Sequence, residues 1–202
     1  MLYDKDIREP LFDFLEEAYG KLRIIEEKQV GKSRADIVMV LPGLLTGIEI
    51  KSDADSYVRL SRQVKDYDRF FDRNMVVAGS SHAAHVREHV PGWWGIITVE
   101  QNDREIDFYV LRQPQENPMM NWKRKLSLLW RPELAHIQEL TAMPRYKEKS
   151  KAFVIEKILA KVPGEQLSVL VSEELFERDY TRIEEVIRAY KIQNRPELKG
   201  RT

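Results

Sequence analysis

None of the 202 residues is a cysteine, and this is the most informative absence from the sequence. Disulfide bonds and zinc sites built on cysteine thiolates are therefore excluded, while the redox compartment stays open. No apolar run approaches the roughly 18–20 residues that a membrane-spanning helix needs. The first ten residues, MLYDKDIREP, lack the apolar core of a secretory signal. We therefore expect a cytoplasmic protein with no membrane partner.

The sequence also lacks an excess of charge of either sign, because 33 basic residues are matched by 33 acidic ones. A nucleic-acid partner therefore cannot be inferred from net charge and would require a local basic surface. Hydrophobic residues make up 43% of the chain, which is enough for a core. A length of 202 residues fits one domain with an appendage or two small domains.

The order of the apolar patterns predicts an α/β fold with the core order α-β-β-β-α-β, in which a mixed sheet is flanked by helices. Gly20 ends the first helix, and short turns separate the first three strands. The predicted elements are a helix at 4–19, strands at 21–30, 35–41 and 45–51, a helix at 55–73, a strand at 74–80, a short helix at 81–90 and a hairpin over 94–112.

The composition changes after residue 112, where the polar, proline-containing segment QPQENPMMNWKRK begins. Helical patterns follow it near 126–140, 149–161, 165–178 and 180–191. We therefore expect two parts, an α/β core at 1–115 and a small all-helical C-terminal appendage at 116–202.

The strand pattern GIEIK contains an unusual pair of charges. Side chains alternate along a strand, so Glu49 and Lys51 share one face with Gly47 while two isoleucines face the other way. Asp36 opens the preceding strand, and antiparallel pairing through a short turn sets it beside the end of the next strand. Two carboxylates brought this close repel each other unless a cation lies between them.

The cation that suits this arrangement is Mg²⁺ or Mn²⁺. Magnesium takes one or two protein carboxylates and keeps several waters, and the backbone carbonyl of Ile50 is a further candidate ligand. A metal-bound water beside the Lys51 ammonium supplies hydroxide, and the lysine can stabilise charge that develops on a phosphate. The residues therefore indicate metal-assisted hydrolysis of a phosphodiester.

The segments RADIV and EIK, followed by RQVKDY, resemble the PD-(D/E)XK nuclease superfamily. Gln63 and Tyr67 reproduce the Gln-x-x-x-Tyr spacing of its RecB-like branch, on one face of a helix. The resemblance covers about residues 5–110. Within this superfamily, the sequence is similar to a family of small bacterial proteins. Ala35 stands where the name of the superfamily has proline, which is a variable position.

This resemblance implies a restriction-endonuclease-like fold and assigns roles to the matching residues. Asp36 and Glu49 would hold the metal, and Lys51 would serve catalysis. Gln63 and Tyr67 would position the substrate or the hydrogen bonds of the active site. The resemblance alone also favours DNA over RNA.

Glu9 is a further candidate metal ligand, because many members of the superfamily carry an acidic residue on the first helix. The alternative is a capping box that begins at Asp6, in which the Glu9 side chain reaches back to the start of the helix.

A basic stripe recurs at spacings of three and four along the predicted helix at 55–73 and could bind a phosphate backbone. Its members are Arg59, Arg62, Lys65 and Arg69. The alternative is a solvated helix face whose charge is balanced by nearby aspartates, namely Asp55, Asp66, Asp68 and Asp72.

We therefore expect a Mg²⁺- or Mn²⁺-dependent deoxyribonuclease, with endonucleolytic and exonucleolytic cleavage both open. The expected partner is nucleic acid, DNA by resemblance, and a homodimer is a possible assembly. The alternative is a non-catalytic nucleic-acid-binding or protein-interaction module that retains the nuclease fold.

Overall fold

The computed structural model describes residues 2–102 and 105–179. The elements are the helix α1 (Asp4–Tyr19), the strands β1 (Arg23–Val30), β2 (Ser33–Leu41) and β3 (Leu44–Lys51), a 3₁₀ turn (Tyr57–Arg59), α2 (Leu60–Phe70), β4 (Arg73–Gly79), α3 (Ser80–Ala83), a second 3₁₀ turn (Val86–Glu88), β5 (Gly95–Asn102), β6 (Glu105–Arg112), α4 (Trp122–Leu126), α5 (Arg131–Leu140), α6 (Lys151–Lys161) and α7 (Gly164–Phe176).

The six strands form one mixed sheet in the order β1-β2-β3-β4-β5-β6. The pairs β1–β2, β2–β3 and β5–β6 are antiparallel, whereas β3–β4 and β4–β5 are parallel. Very short turns connect β1 to β2 and β2 to β3, so these pairs are antiparallel. The parallel pairs need longer crossover connections, and the connection between β3 and β4 contains α2. The predicted α-β-β-β-α-β order and the mixed sheet flanked by helices are confirmed.

Strand alternation divides the core between the two faces of the sheet. Ile37 and Met39 of β2 pack in the cluster that α1 covers, while Val38 and Val40 pack in the cluster that contains α2. Both faces are buried, which explains why β2 reads as a continuous apolar run rather than an alternating one.

The C-terminal helices α4 to α7 share the hydrophobic cluster on the α2 face of the sheet. Leu126 of α4, Ile158 of α6 and Val171 of α7 are fully buried in it. The predicted boundary near 115 falls in the connection between β6 and α4, and the predicted helix over 180–191 lies outside the described residues.

The predicted helix over 55–73 is shorter in the structure, because α2 begins only at Leu60. The Asp55 carboxylate accepts hydrogen bonds from the Ser52 backbone N–H at 3.0 Å and from its hydroxyl at 2.6 Å. These bonds hold the chain in a turn after β3, and a 3₁₀ turn over Tyr57–Arg59 then leads into α2. The short helix predicted over 81–90 is likewise two separate turns.

None of the helices in the described part of the chain has both the length and the apolar character required to cross a lipid bilayer.

A buried ion pair joins α4 to the end of α2. The Lys125 side chain is fully buried, and its Nζ lies 2.7 Å from both carboxylate oxygens of Asp72. Burial lowers the pKa of Lys125, and the Asp72 charge opposes that effect. Lys123, on the same helix, pairs with Glu156 at 2.9 Å in an exposed position.

Replacing Lys125 by methionine is expected to lower the free energy of unfolding by about 3 kcal/mol, because Asp72 loses its counter-ion in a largely buried position. Lys123→Met is the matched control and should cause no measurable loss, since its ion pair is exposed. Urea unfolding followed by circular dichroism measures both. Equal losses for the two variants would contradict a structural role for the buried pair.

Candidate active site

A cleft of about 530 Å³ lies at the end of the sheet where β2 separates from β3. Its walls come from α1, the β1–β2 hairpin, the end of β3 and the start of α2. The residues that line it are Asp4, Arg8, Glu27, Gln29, Lys32, Ser33, Arg34, Asp36, Glu49, Ile50, Lys51, Asp55, Arg59, Arg62 and Gln63.

Asp36 marks the point at which the two strands separate. The last paired residues of β2 and β3 are Ile37 and Ile48. Beyond them the Asp36 carboxylate, rather than the β2 backbone, accepts the N–H of Ile50 at 2.8 Å. The predicted hairpin pairing therefore brings Asp36 to the end of β3.

Glu49 is buried within a network of donors. One carboxylate oxygen accepts from the Lys51 ammonium at 2.6 Å and also from the Gln63 amide. The other accepts from the Tyr67 hydroxyl at 2.6 Å. Lys51 Nζ also donates to the Gln63 side-chain oxygen at 3.2 Å. Glu49 is 1% exposed and Lys51 2% exposed, so this pair is not a solvated strand face.

Tyr67 connects Glu49 to Asp36. Its hydroxyl donates to the Glu49 carboxylate and accepts the backbone N–H of Asp36 at 3.1 Å. The Tyr67 ring is fully buried and lies 5.5 Å from the ring of Trp94, which fixes its position. The five residues predicted as the centre of the site, Asp36, Glu49, Lys51, Gln63 and Tyr67, are therefore brought together.

Gly47 permits this close approach of α2 to β3. A Cβ atom at Gly47 would overlap the rings of Phe71 and Tyr67, so a larger residue would push the helix away from the strand. The glycine that opens GIEIK thus allows Gln63 and Tyr67 to reach Glu49.

The electrostatics of the site favour a cation near Asp36. Burial raises the pKa of Asp36 to about 7, and the charge of Glu49 adds to this effect. The hydrogen bond from Ile50 and the charge of Lys51 act in the opposite direction. Burial and the neighbouring Glu49 also raise the pKa of Tyr67, so its hydroxyl stays a neutral donor.

These residues fit a divalent cation that keeps part of its water shell. Within the described residues, no group of three or more histidine, cysteine, aspartate or glutamate side chains is arranged to enclose a metal ion. Of the five acidic residues that line the cleft, Asp36 and Glu49 offer their carboxylates at the end of β3, together with the backbone of Ile50. Magnesium and manganese sites that share their coordination with water and substrate oxygens need no larger protein set.

Glu9 is not brought to the cleft. Its side chain is exposed, whereas Asp4 and Arg8, on another side of α1, line the cleft. The capping interpretation of Glu9 is also wrong, because Asp6 is the residue whose carboxylate returns to the helix start, where it accepts the Tyr3 N–H at 3.1 Å. The capping outcome follows from the start of α1 at Asp4, which makes Asp6 rather than Glu9 the third helical residue.

Arg8 links α1 to β1. Its guanidinium pairs with Asp4 at 2.6 Å, with Glu26 at 3.0 Å and with Glu27 at 2.7 Å. Burial opposes the charge of Arg8, but hydrogen bonds and charge from Asp4 outweigh it and raise the pKa of the guanidinium. Sequence reasoning missed Asp4 and Arg8, although their spacing of four on a helix was a signal of an ion pair.

The predicted basic stripe divides into two parts. Arg59 and Arg62 line the cleft, whereas Lys65 and Arg69 lie further along α2 and do not. All four side chains are exposed. Lys32 and Arg34, which the sequence analysis did not identify, line the cleft from the β1–β2 hairpin.

Comparison with known proteins identifies related sequences. The model of the family described as bacteriophage P4 protein cII matches residues 1–195. Protein cII of Enterobacteria phage P4 is 28% identical over 101 residues, which is 50% of this chain and 38% of the phage protein, so the match spans well under half of that relative. Among solved structures, SfsA of Pyrococcus furiosus in complex with Ca²⁺ aligns with a TM-score of 0.35 at 16% identity, over 55% of this chain and 62% of SfsA.

Replacing Asp36 by asparagine is expected to stabilise the metal-free protein at high pH. A carboxyl group whose pKa is raised by folding binds more protons in the folded state, so wild-type stability falls as pH rises from about 4 through about 7. Asparagine can keep the hydrogen bond from Ile50 without the charge. We expect a gain of about 1–2 kcal/mol near pH 8 and none near pH 4.5, allowing for solvent in the cleft.

Urea unfolding in the presence of a chelator measures this difference. Glu9→Gln, which removes an exposed carboxylate of the neighbouring helix, serves as the control and should change little at either pH. A pH-independent effect of Asp36→Asn would show that the charge of Asp36 carries no cost in the folded protein.

Proposed function

The chain belongs to the family of bacteriophage P4 protein cII, and we propose that it is a divalent-metal-dependent nuclease of the PD-(D/E)XK type that cleaves nucleic acid, preferably DNA. The observation that carries the proposal is the meeting of Asp36 with the Glu49–Lys51 pair at one end of an open cleft. Exposed charges in a strand rarely need explanation, but a buried ion pair beside a second carboxylate does.

Asp36, Glu49 and the backbone carbonyl of Ile50 would hold the metal. The N–H of Ile50 points to Asp36, and the N–H and C=O of one strand residue point to the same side, so this carbonyl also faces the cleft. A bound Mg²⁺ or Mn²⁺ would supply an activated water and neutralise charge on the phosphate. Oxygen ligands of this kind suit these two ions.

Lys51 places a positive charge at the floor of the cleft. Its ammonium donates to Glu49 and to Gln63, which use two of its three hydrogens and leave one donor. That donor can hold a non-bridging phosphate oxygen or orient the attacking water. The positive charge then stabilises the extra negative charge that develops on the phosphate in the transition state.

Gln63 and Tyr67 hold Glu49 in place. Both donate to its carboxylate, and Tyr67 also accepts from the Asp36 backbone, so the two acids keep a fixed separation. Such preorganisation is what a hydrolytic site needs, because the acids do not have to be rearranged during the reaction.

One observation favours the alternative, a nucleic-acid-binding module without catalysis. Three side chains already donate to the Glu49 carboxylate in this structure, so Glu49 could serve as a purely structural acceptor. Each carboxylate oxygen has about two acceptor positions, and the oxygen bonded to Tyr67 therefore keeps capacity for a metal. Measurements of metal binding and of cleavage distinguish the nuclease from the non-catalytic module.

Metal binding is expected to raise the melting temperature of the wild-type protein when Mg²⁺ or Mn²⁺ is added after chelation. Asp36→Asn and Glu49→Gln should lose this increase, because each removes a charged ligand. Differential scanning fluorimetry measures the change, and Glu9→Gln is the matched control that should keep it. A wild-type protein that does not respond to either ion would favour the non-catalytic module.

Lys51→Ala is expected to reduce cleavage by at least about a hundredfold while it retains most of the metal response, because the lysine acts on the phosphate, whereas Gln63 and Tyr67 still hold the Glu49 ligand. A panel of labelled duplex, single-stranded and branched DNA, with an RNA strand as comparison, identifies the substrate. Near-UV circular dichroism checks the fold of the variant. Cleavage at the wild-type rate would remove Lys51 from the mechanism.

A further inference from the structure

The exposed cations at the entrance of the cleft form no ion pair, within the described residues, with the aspartates near them in sequence. The acidic groups of the same segment are bound elsewhere, since Asp66 accepts from Ser33, Asp68 from Trp94 and Asp72 from Lys125. Asp55 is likewise engaged by Ser52. Within the described residues, none of these four aspartates therefore forms an ion pair with the basic stripe.

Three cations lining the cleft have no acidic partner within the described residues, namely Lys32, Arg59 and Arg62. The other cations of the cleft do have partners. Lys51 pairs with Glu49, and Arg34 pairs with Glu27 at 2.5 Å. Arg8 is held by three carboxylates. The cations available to bind a ligand are thus Lys32, Arg59 and Arg62, which are exposed at the entrance of the cleft.

Asp66 fixes the hairpin that carries Lys32 against α2. Its carboxylate accepts the backbone N–H of Lys32 at 3.2 Å and the Ser33 hydroxyl at 2.7 Å. Gly31 has a φ of 60°, and a Cβ there would overlap the Asp66 carboxylate. The hairpin tip and the helix that carries Arg62 are therefore joined through one buried group.

We propose that Lys32, Arg59 and Arg62 form a phosphate-binding rim that holds the backbone of a nucleic-acid strand across the cleft. The proposal rests on the proposed function for the identity of the ligand. The rim attracts a polyanion, while Asp36 and Glu49 at the floor repel it, so the strand is held by its phosphates at the rim. Asp66 is a positioning residue for Lys32.

Binding without metal tests the rim independently of catalysis. The affinity of the full-length protein for a labelled oligonucleotide, single-stranded in one arm and duplex in the other, is measured by fluorescence anisotropy in chelator at several salt concentrations. The combined variant Lys32→Gln, Arg59→Gln, Arg62→Gln should reduce the slope of log K against log salt by about two to three, close to one per lost phosphate contact.

The matched control is Lys65→Gln with Arg69→Gln, which removes exposed cations from the same helix outside the cleft. We expect its slope to stay within about half a unit of the wild-type value. Equal slopes for the rim variant and the wild type, or an equal loss in the control, would overturn the rim, as would a wild-type protein that binds neither oligonucleotide. Melting temperatures check that the variants are folded.

The two proposals can fail separately. A smaller slope for the rim variant in a protein that never cleaves DNA keeps the rim and removes the nuclease. Metal-dependent cleavage combined with an unchanged slope keeps the nuclease and removes the rim.

Discussion

The buried ion pair between Glu49 and Lys51 is the interaction on which the site depends. Removing two charges from water is costly, and the attraction between them offsets that cost only when further hydrogen bonds satisfy both groups. Gln63 and Tyr67 supply those bonds, and α2 delivers them because Gly47 lets the helix approach β3. Replacing a buried ion pair by hydrophobic residues of similar size is often neutral or stabilising, so a contribution to stability is weak grounds for the presence of this pair.

The centre of the site could be predicted from the sequence because its geometry is local. Alternation along β3 places Glu49 and Lys51 on one face, and a short hairpin brings Asp36 beside them. A spacing of four on a helix sets Gln63 and Tyr67 together, and the resemblance to the nuclease superfamily assigned both of them to the site. Each of these relations is fixed by the repeat of a strand or a helix, and the observed hydrogen bonds follow them.

The prediction failed where the partners are far apart in the sequence. No local pattern shows that Asp66 binds the β1–β2 hairpin, or that Asp68 accepts from Trp94. Glu9 was proposed because related nucleases carry an acidic residue on the first helix, whereas in this structure Asp4 and Arg8 are the residues of α1 that line the cleft. The change in composition after residue 112 marks a change from strands to helices. The hydrophobic cluster continues across this change, because α4 to α7 pack in the same cluster as α2.

The balanced net charge of the chain conceals a strong sorting of charge in space. Acids near the cleft are used as structural acceptors, so they satisfy backbone N–H groups, hydroxyls, indoles and one buried lysine. Within the described residues, three exposed cations of the cleft, Lys32, Arg59 and Arg62, are left without an acidic partner even though the totals are equal. A neutral protein can thus present a basic rim above an acidic floor. Such a pattern would suit a ligand that is anionic at the rim and reaches the floor together with a cation, as we propose for a phosphodiester and a divalent metal.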